Sequence, residues 1–249
     1  MSEHILETLW KSIKMLVTNP RSFVRTLRRV FEPMRQDYQK RLNMSLREWL
    51  IYHQQNIVFD KCYWMGVRAL KNPFDSWIYQ EIIHEVKPDI LIEIGSAEGG
   101  STLYFANLFD LIGKGQVISI DIDRTNFKVK HDRIIVITGD CSSQDVAGKV
   151  SQLCQGKRTL VIHDGDHSKD AVLRDLAIYS KLVSVGSYLI VEDGVIDLFK
   201  PGDGMGRLYE GPLKAVEEFL IANPDFVVDM EREKYLLTYN PRGFLKRIK

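Results

Sequence analysis

The alternation of short apolar runs with helix-like segments from about residue 90 onward constrains the fold of this chain most strongly. Runs such as residues 89–95 and 159–164 are nearly continuous apolar and β-branched stretches, and a helical pattern follows each of them. Strands of this kind are buried on both faces, as in a parallel sheet covered by helices. The sequence therefore predicts a doubly wound, Rossmann-like α/β fold. The predicted strands are 89–95, 116–123, 133–140, 159–164 and 186–193, and the predicted helices are 100–112, 142–154 and 168–183.

The two ends of the chain depart from this alternation. Residues 211–224 have a helical pattern, and the strand-like segments 225–230 and 234–241 follow closely enough to predict an antiparallel pair. Residues 1–70 are mostly helical in pattern and show no strand alternation. We therefore predict a helical N-terminal extension at residues 1–70 and an α/β domain at residues 71–249.

Composition narrows the class of protein. The 249 residues are 45% hydrophobic and 27% charged, with a net charge of +1, so no global field favours nucleic acid. No apolar run approaches the ~20 residues of a membrane span, and charged residues interrupt the N-terminus, which is unlike a signal peptide. The three cysteines have neither metal-finger spacing nor an even count for a disulfide framework. Together these features predict a cytoplasmic location; the cysteines are Cys62, Cys141 and Cys154.

A glycine-rich segment, "EIGSAEGGST", joins the first strand of the α/β region to the helix that follows. It does not match the dinucleotide fingerprint G-x-G-x-x-G, because its glycines are Gly95, Gly99 and Gly100. Glu98 would also lie where a pyrophosphate should bind. Glu93, at the end of the strand, instead suits a positively charged ligand such as S-adenosylmethionine.

Acidic residues at the next two strand ends fit the rest of that cofactor. Asp121 is placed for the ribose hydroxyls and Asp140 for the adenine amino group, since ligands bind at the carboxyl ends of parallel strands. The alternative interpretation is a glycine loop for tight packing and acids that cap helices. The residues expected to contact the cofactor are Glu93, Gly95, Ser96, Gly99, Ser101, Asp121, Asp140, Cys141 and Asp164.

The segment "VIHDGDHSKD", residues 161–170, gathers acids and histidines at the end of the fourth strand. Asp164 and Asp166 follow this strand, while Glu192 and Asp193 end the fifth. Adjacent strands would bring these carboxylates together, where they repel one another unless a cation is bound. Mg²⁺ prefers such hard oxygen ligands. The sequence therefore predicts a magnesium site, and on the residues alone the choice between Asp164 and Asp166 stays open.

Calcium and iron are alternative metals for this segment. A calcium loop would need a glycine where Lys169 stands and a glutamate where Asp175 stands. An iron site could use His163 and His167, but these are four residues apart across a strand end and a turn. Both alternatives are weaker than magnesium.

Longer stretches resemble a known family. Residues 72–108, 161–194 and 211–248 resemble the cephalosporin hydroxylase/rhamnosyl O-methyltransferase family, and the likeness covers roughly residues 55–248. The resemblance implies a class I methyltransferase fold, whose seven-stranded sheet has its last strand antiparallel. It also implies dependence on S-adenosylmethionine and Mg²⁺ and favours a homo-oligomer.

The same resemblance, together with a string similar to the Asp-His-x-Lys of catechol-type O-methyltransferases, implies roles for individual residues. Asp166, Glu192 and Asp193 are the implied metal ligands, with Asp164 as support or alternative ligand. Lys169 or His167 is the implied base that removes the proton of the acceptor hydroxyl. The expected acceptor is a small molecule such as a sugar, a polyketide or an antibiotic-like compound.

Two alternatives to an independent enzyme stay open. One is a subunit that binds S-adenosylmethionine and assists a separate hydroxylase; another is a scaffold without chemistry, against which the intact acid clusters argue. Residues 1–50 carry ten Lys/Arg and five Asp/Glu, and their segment 21–42 predicts an amphipathic helix that packs on protein or contacts a membrane surface. The loop 199–212, with four glycines, is a candidate lid over the site.

Overall fold

The computed structural model describes residues 41–249, which divide into two units after Asp60. In the first unit the described part contains helix α1, Leu46–His53, and a π-helical turn, Gln54–Val58. A capping box starts α1, because Ser45 Oγ accepts from the Glu48 N–H and the Ser45 N–H donates back to Glu48 at 2.8 Å. Residues 21–40 of the predicted amphipathic helix lie outside the described residues. No helix from residue 41 onward is long and apolar enough to cross a membrane.

The second unit alternates strands and helices as the apolar pattern predicts. A short hairpin comes first, and the antiparallel strand pair at the end of the chain comes last. In order, the elements are β1 Tyr63–Trp64, β2 Val67–Arg68, α2 Pro73–Val86, β3 Ile90–Ile94, α3 Gly100–Ile112, β4 Gln116–Asp121, β5 Ile134–Thr138, α4 Gln144–Cys154, β6 Thr159–His163, α5 Lys169–Tyr179, β7 Tyr188–Val191, α6 Pro212–Ala222, β8 Phe226–Val228 and β9 Phe244–Arg247.

Seven strands form one mixed sheet in the order β5-β4-β3-β6-β7-β9-β8. The five strands from β5 to β7 are parallel, whereas β9 pairs antiparallel with both β7 and β8. Strand order reverses between β3 and β6, where an α/β sheet opens a crevice for ligands. The predicted seven-stranded fold with an antiparallel last strand is confirmed.

Alternate residues of each central strand supply two separate apolar layers. Ile90 and Ile92 of β3 pack with α4, α5 and α6, while Leu91 packs with α2 and α3 on the other face. This two-residue period explains the continuous apolar runs, since both faces of the sheet are covered. Glu93 shares the face of Leu91, so it lies beneath α3 with none of its surface exposed.

The position of the last strand was predicted wrongly. The strand-like letters of residues 234–241 predict a strand there, but the structure has an irregular segment followed by β9, Phe244–Arg247. Leu236 and Arg242 adopt positive φ angles of 61° and 59°, which a strand does not allow. Backbone groups of this segment bind side chains of α2 instead of a sheet neighbour, as the Tyr239 N–H does by donating to Asp75 at 2.8 Å.

Candidate active site

The carboxyl ends of three neighbouring strands bring the glycine loop and both acidic segments together. Ile94 of β3 pairs with His163 of β6, and His163 pairs with Val191 of β7. The residues that follow each strand therefore start at the same level of the sheet. The Asp164 N–H continues the β3–β6 ladder by donating to Ile94 O at 2.8 Å. The expectation that the two acidic segments meet at this edge is confirmed.

Asp164, His167 and Asp193 form a compact group of candidate metal ligands. Each offers one ligand atom, these atoms lie within 4.8 Å of one another, and all three residues are half-buried. His167 Nε2 lies 2.8 Å from Asp193 Oδ2 and 3.8 Å from Asp164 Oδ1. Two carboxylates from different strand ends thus face one imidazole.

The groups around the His167 ring favour its cationic form. Its Nδ1 lies 2.6 Å from Gly165 O and its Nε2 faces Asp193, so each ring nitrogen has an acceptor to which a protonated ring can donate. Burial alone would lower the pKa of His167, but the hydrogen bond to Asp193 and the charges of Asp193 and Asp164 raise it to about 9. The same contact lowers the pKa of Asp193 against the effect of its burial.

Glu192 is paired with a residue that the sequence did not indicate. Lys71 Nζ donates to Glu192 Oε1 at 2.7 Å and also to Asp164 Oδ2. Burial raises the pKa of the Glu192 carboxyl, the charge of Asp164 raises it further, and Lys71 opposes both effects. Lys71 immediately precedes Asn72, the N-cap of α2, where a lysine is usually exposed to solvent. The sequence therefore gives no sign that Lys71 is buried beside the acidic residues.

Asp166 and Lys169 lie apart from this group of ligands. Asp166 is exposed, and its Oδ1 accepts the Ser168 N–H at 2.8 Å in the turn that leads into α5. Lys169 begins α5 and pairs with Glu210 at 3.0 Å and with Glu218 at 2.9 Å. Its N–H also donates to Glu210 O at 2.9 Å, so Lys169 fastens the loop 199–212 to α5.

A second group missed at the level of sequence supports Asp193 from the C-terminal segment. Asp193 has a φ of 60°, and its N–H donates to Asn240 Oδ1 at 3.0 Å. Asn240 Nδ2 in turn donates to the Tyr79 hydroxyl of α2 at 2.7 Å. Asn240 lies in the string "REKYLLTYNP", residues 232–241, which is within the range that resembles the family. That resemblance is the one sign in the sequence that Asn240 has a role at the site.

Glu93 retains an unused acceptor on the cofactor side of the site. Its Oε2 accepts from the Thr102 hydroxyl, whereas its buried Oε1 has no hydrogen-bond partner among the described residues. Burial raises the pKa of this carboxyl, and the positive charge of Lys71 opposes the rise. An acceptor left over at the end of β3 fits the predicted recognition of a cationic ligand.

Asp121 shapes the glycine loop directly. Its Oδ2 accepts the N–H groups of Ser96 and Ala97, both at 2.8 Å. At Gly95 the φ is 85°, and a Cβ there would lie 2.0 Å from Asp164 O, so this turn requires glycine. Asp121 thus holds the loop whose backbone the cofactor was predicted to contact.

The remaining predicted cofactor residues lie in two places, the start of α3 and the segment that follows β5. Gly99 precedes α3 without a side-chain cap, and Ser101 lies buried in the first turn, so the N-terminus of α3 is not capped by a side chain. Asp140 Oδ1 accepts from Ser142, and burial raises the pKa of the neighbouring Cys141 thiol to about 12. The thiol is therefore not a nucleophile near neutral pH, and a contact role remains open to it.

The donor set at the acidic end fits Mg²⁺. Asp164 and Asp193 offer carboxylate oxygens from adjacent strand ends, and Glu192, which precedes Asp193, accepts from Lys71 at Oε1. Hard oxygen ligands of this type are what Mg²⁺ prefers. An imidazole is the less suitable ligand for Mg²⁺, which leaves His167 available for proton transfer.

Comparisons with known proteins point the same way. A model of the family described as rhamnosyl O-methyltransferase/CmcI matches residues 56–248. The rhamnosyl O-methyltransferase of Mycobacterium leprae is 33% identical over 80% of this chain and 89% of its own length. That of Mycobacterium tuberculosis strain H37Rv is also 33% identical, over 80% and 84%.

Solved structures share the fold. A CmcI structure with Mg and SAM has a TM-score of 0.60 and 24% identity, covering 77% of this chain and 78% of that one. The methyltransferase MycE with Mg and SAH has a TM-score of 0.52 and 18% identity, covering 80% and 55%. The cofactors predicted from the sequence, S-adenosylmethionine and Mg²⁺, are those named for the CmcI structure. The predicted S-adenosylmethionine-dependent O-methyltransferase is confirmed, and the chain belongs to the rhamnosyl O-methyltransferase/CmcI family.

Proposed function

We propose that this chain transfers the methyl group of S-adenosylmethionine to a hydroxyl group of a sugar, with Mg²⁺ bound at the acidic site. The observation that carries the proposal is the grouping of Asp164, His167 and Asp193 beside the glycine loop. This grouping supports the proposal, because candidate metal ligands, a candidate base and the glycine loop follow the carboxyl ends of neighbouring strands.

The metal ligands in this proposal are Asp164, Asp193 and Glu192. The first two already face one another, and Glu192 lies within reach of the same Lys71 nitrogen as Asp164. Asp166, the ligand implied by the resemblance, accepts a backbone N–H in an exposed turn, so we assign it a lesser role. When bound, the metal would supply positive charge that lowers the pKa of the acceptor hydroxyl and orients it.

His167 is the base in this proposal. Mg²⁺ bound to Asp164 and Asp193 would offset the negative charges that raise the pKa of the ring, which would leave the imidazole neutral. Its Nδ1–H is fixed by Gly165 O, so the neutral ring would carry its free electron pair on Nε2, toward Asp164 and Asp193. That nitrogen can then accept the proton of a hydroxyl held at the carboxylates. Lys169, the other candidate, is engaged by Glu210 and Glu218.

The glycine loop and Glu93 bind the cofactor in this proposal. The unused Glu93 Oε1 suits the ammonium group, and the uncapped N-terminus of α3 suits the carboxylate of S-adenosylmethionine. Methyl transfer needs the sulfonium methyl and the acceptor oxygen in contact, so rate comes largely from holding both substrates in place.

A sugar acceptor is supported by the relatives, both of which are named rhamnosyl O-methyltransferases. The wider predictions of a polyketide or antibiotic-like acceptor, a homo-oligomer and a membrane contact through residues 1–50 stay predictions. So does the absence of a nucleic-acid partner, which rests on the net charge of +1.

The test measures formation of S-adenosylhomocysteine from S-adenosylmethionine with an alkyl rhamnoside as probe acceptor. We expect activity that requires Mg²⁺ and is abolished by EDTA. Asp164→Asn and Asp193→Asn should each lower kcat/KM by at least about 100-fold, whereas Asp166→Asn should change it by less than about fivefold.

His167→Gln tests the base and should lower kcat by about 100-fold or more. His84 is an exposed histidine of α2, so His84→Gln is the matched control and should keep the parental kcat. Full activity in Asp164→Asn would overturn the assignment of Asp164 as a metal ligand.

A further inference from the structure

Lys71 reaches the acidic site from outside the strand ends that form it. It follows β2 and precedes α2, is 4% exposed, and its carbonyl accepts from the Cys62 thiol at 3.3 Å. Its ammonium nitrogen contacts Glu192 Oε1 at 2.7 Å and Asp164 Oδ2. A lysine buried to this degree is uncommon unless it is paired, and here it is paired with two carboxylates.

The charges of the site explain why a cation is needed there. Asp164, Glu192 and Asp193 are three carboxylates within one half-buried site, and each disfavours ionisation of the others. Lys71 neutralises one of these charges. With His167 neutral, as the proposed base requires, a divalent cation would neutralise the other two, so three carboxylates, one ammonium and one divalent cation would together be neutral.

The two oxygens of the Asp164 carboxylate face different groups, one toward Lys71 and the other toward His167. Oδ2 accepts from Lys71, whereas Oδ1 lies 3.8 Å from His167 Nε2, on the side of Asp193. Glu192 Oε1 is likewise turned to Lys71. A metal that bound Glu192 and Asp164 would therefore share both carboxylates with a fixed positive charge.

We propose that Lys71 is a built-in countercation of the metal site, which stabilises the metal-free carboxylates and weakens the binding of the divalent cation by sharing Glu192 and Asp164 with it. The inference rests on the proposed metal-dependent function. Lys71 is a positioning residue in this scheme, because it acts through Glu192 and Asp164. Because of the Lys71 charge, Mg²⁺ should bind more weakly and be released more readily than it would at three carboxylates alone.

The test compares Mg²⁺ binding and thermal unfolding in the full chain and in Lys71→Met, with Lys71→Gln as a second variant that keeps hydrogen-bond donors. Titration calorimetry should show Mg²⁺ binding at least about tenfold tighter in both variants, since a unit charge close to the metal has been removed. Lys114→Met is the matched control, because Lys114 pairs with Asp89 at 2.9 Å on an exposed surface. Its Mg²⁺ affinity should equal that of the parent chain.

Thermal unfolding separates this role from a purely structural one. Without metal, both variants should unfold several degrees below the parent chain, and saturating Mg²⁺ should remove most of that difference. Equal losses with and without Mg²⁺, or an unchanged or weaker Mg²⁺ affinity, would overturn the proposal. Failure of both variants to fold even with Mg²⁺ present would also overturn it, because the metal should replace the missing charge. If the parent chain binds no Mg²⁺, the proposed function itself fails, which is a distinct result.

Discussion

The side chain of Asn240 holds the backbone of Asp193, accepting its N–H at Oδ1 over 3.0 Å. Asp193 has a φ of 60° and a ψ of 20°, a left-handed conformation that is uncommon for residues other than glycine, asparagine and aspartate. Asn240 is anchored in turn by Tyr79 and by the Thr238 hydroxyl, which accepts its N–H at 2.9 Å. The C-terminal segment thus fixes the direction in which one candidate metal ligand leaves β7.

Asn240→Ala should loosen this support and weaken metal binding. The substitution leaves the Asp193 N–H without its acceptor and removes the partner of the buried Tyr79 hydroxyl, at a cost of about 1–3 kcal/mol of unfolding free energy. Loss of such a supporting contact typically weakens metal binding about 10- to 100-fold. Titration calorimetry with Mg²⁺ measures the affinity.

Asn223→Ala is the matched control for that experiment. Asn223 Nδ2 donates to Phe219 O at 2.8 Å at the end of α6, so this variant also loses one amide hydrogen bond. It should keep the parental Mg²⁺ affinity. Equal affinities in the two variants would show that Asn240 does not direct Asp193 toward the metal.

Gly95→Ala should disrupt the glycine loop. A Cβ at this residue would lie 2.0 Å from Asp164 O, and the φ of 85° is itself strained for alanine. We expect the unfolding free energy to fall by about 2 kcal/mol or more and S-adenosylmethionine binding to be lost. Denaturant unfolding and calorimetry with S-adenosylmethionine measure the two effects.

Gly148→Ala is the opposite case. Gly148 lies inside α4 with no atom within 4 Å of an added Cβ, so the substitution should stabilise the chain by about 0.5–1 kcal/mol and leave cofactor binding intact. A similar change in both variants would mean that the close approach of Gly95 to the β6 loop is relaxed in solution.

The strands and the position of the site were predictable because they depend on local pattern. The apolar run of β3 is buried at all five of its residues, and the acids that follow β6 and β7 are placed by strand register alone. The direction of each acid was not predictable. Asp164 extends the ladder and faces the site, whereas Asp166, two residues further on, lies in an exposed turn.

Contacts between distant parts of the chain account for what the sequence did not indicate. Lys71 is 93 residues from Asp164 and 121 from Glu192, so nothing near Lys71 marks it as buried. The segment 234–241 has strand-like residues, but its polar groups are used by α2 and Asp193. In both cases the tertiary partners override the local pattern.

Asp75 should make stability depend on pH. Burial raises the pKa of this carboxyl to about 7, although hydrogen bonds from Thr238, Tyr239 and Asn72 oppose the rise. Since the folded chain binds the proton more tightly than the unfolded chain, the stabilising contribution is complete below pH 4 and is lost as the pH rises to about 7. The loss should amount to about 2–4 kcal/mol.

Denaturant unfolding of the parent chain and of Asp75→Asn, compared at several pH values, tests this expectation. Asparagine does not titrate, so the unfolding free energy of the parent chain minus that of Asp75→Asn should fall as the pH rises from 4 to 7.5. A value that stays constant or rises would show that Asp75 is ionised throughout. The three hydrogen bonds would then outweigh the effect of burial.

Lys169→Met decides between two roles for this residue. If Lys169 is the base that the resemblance implies, its removal should lower kcat by about 100-fold or more. If Lys169 instead anchors the loop 199–212, as its contacts with Glu210 and Glu218 favour, its removal should leave kcat within about threefold. Cleavage of the loop by a protease should then become faster, because the link between α5 and Glu210 is weakened.

Lys214→Met is the control, because it breaks the surface pair of Lys214 with Glu217 at 2.8 Å. It should change neither kcat nor the rate of cleavage. We expect the anchor result, and a kcat that falls with no change in the cleavage rate would instead identify Lys169 as the base.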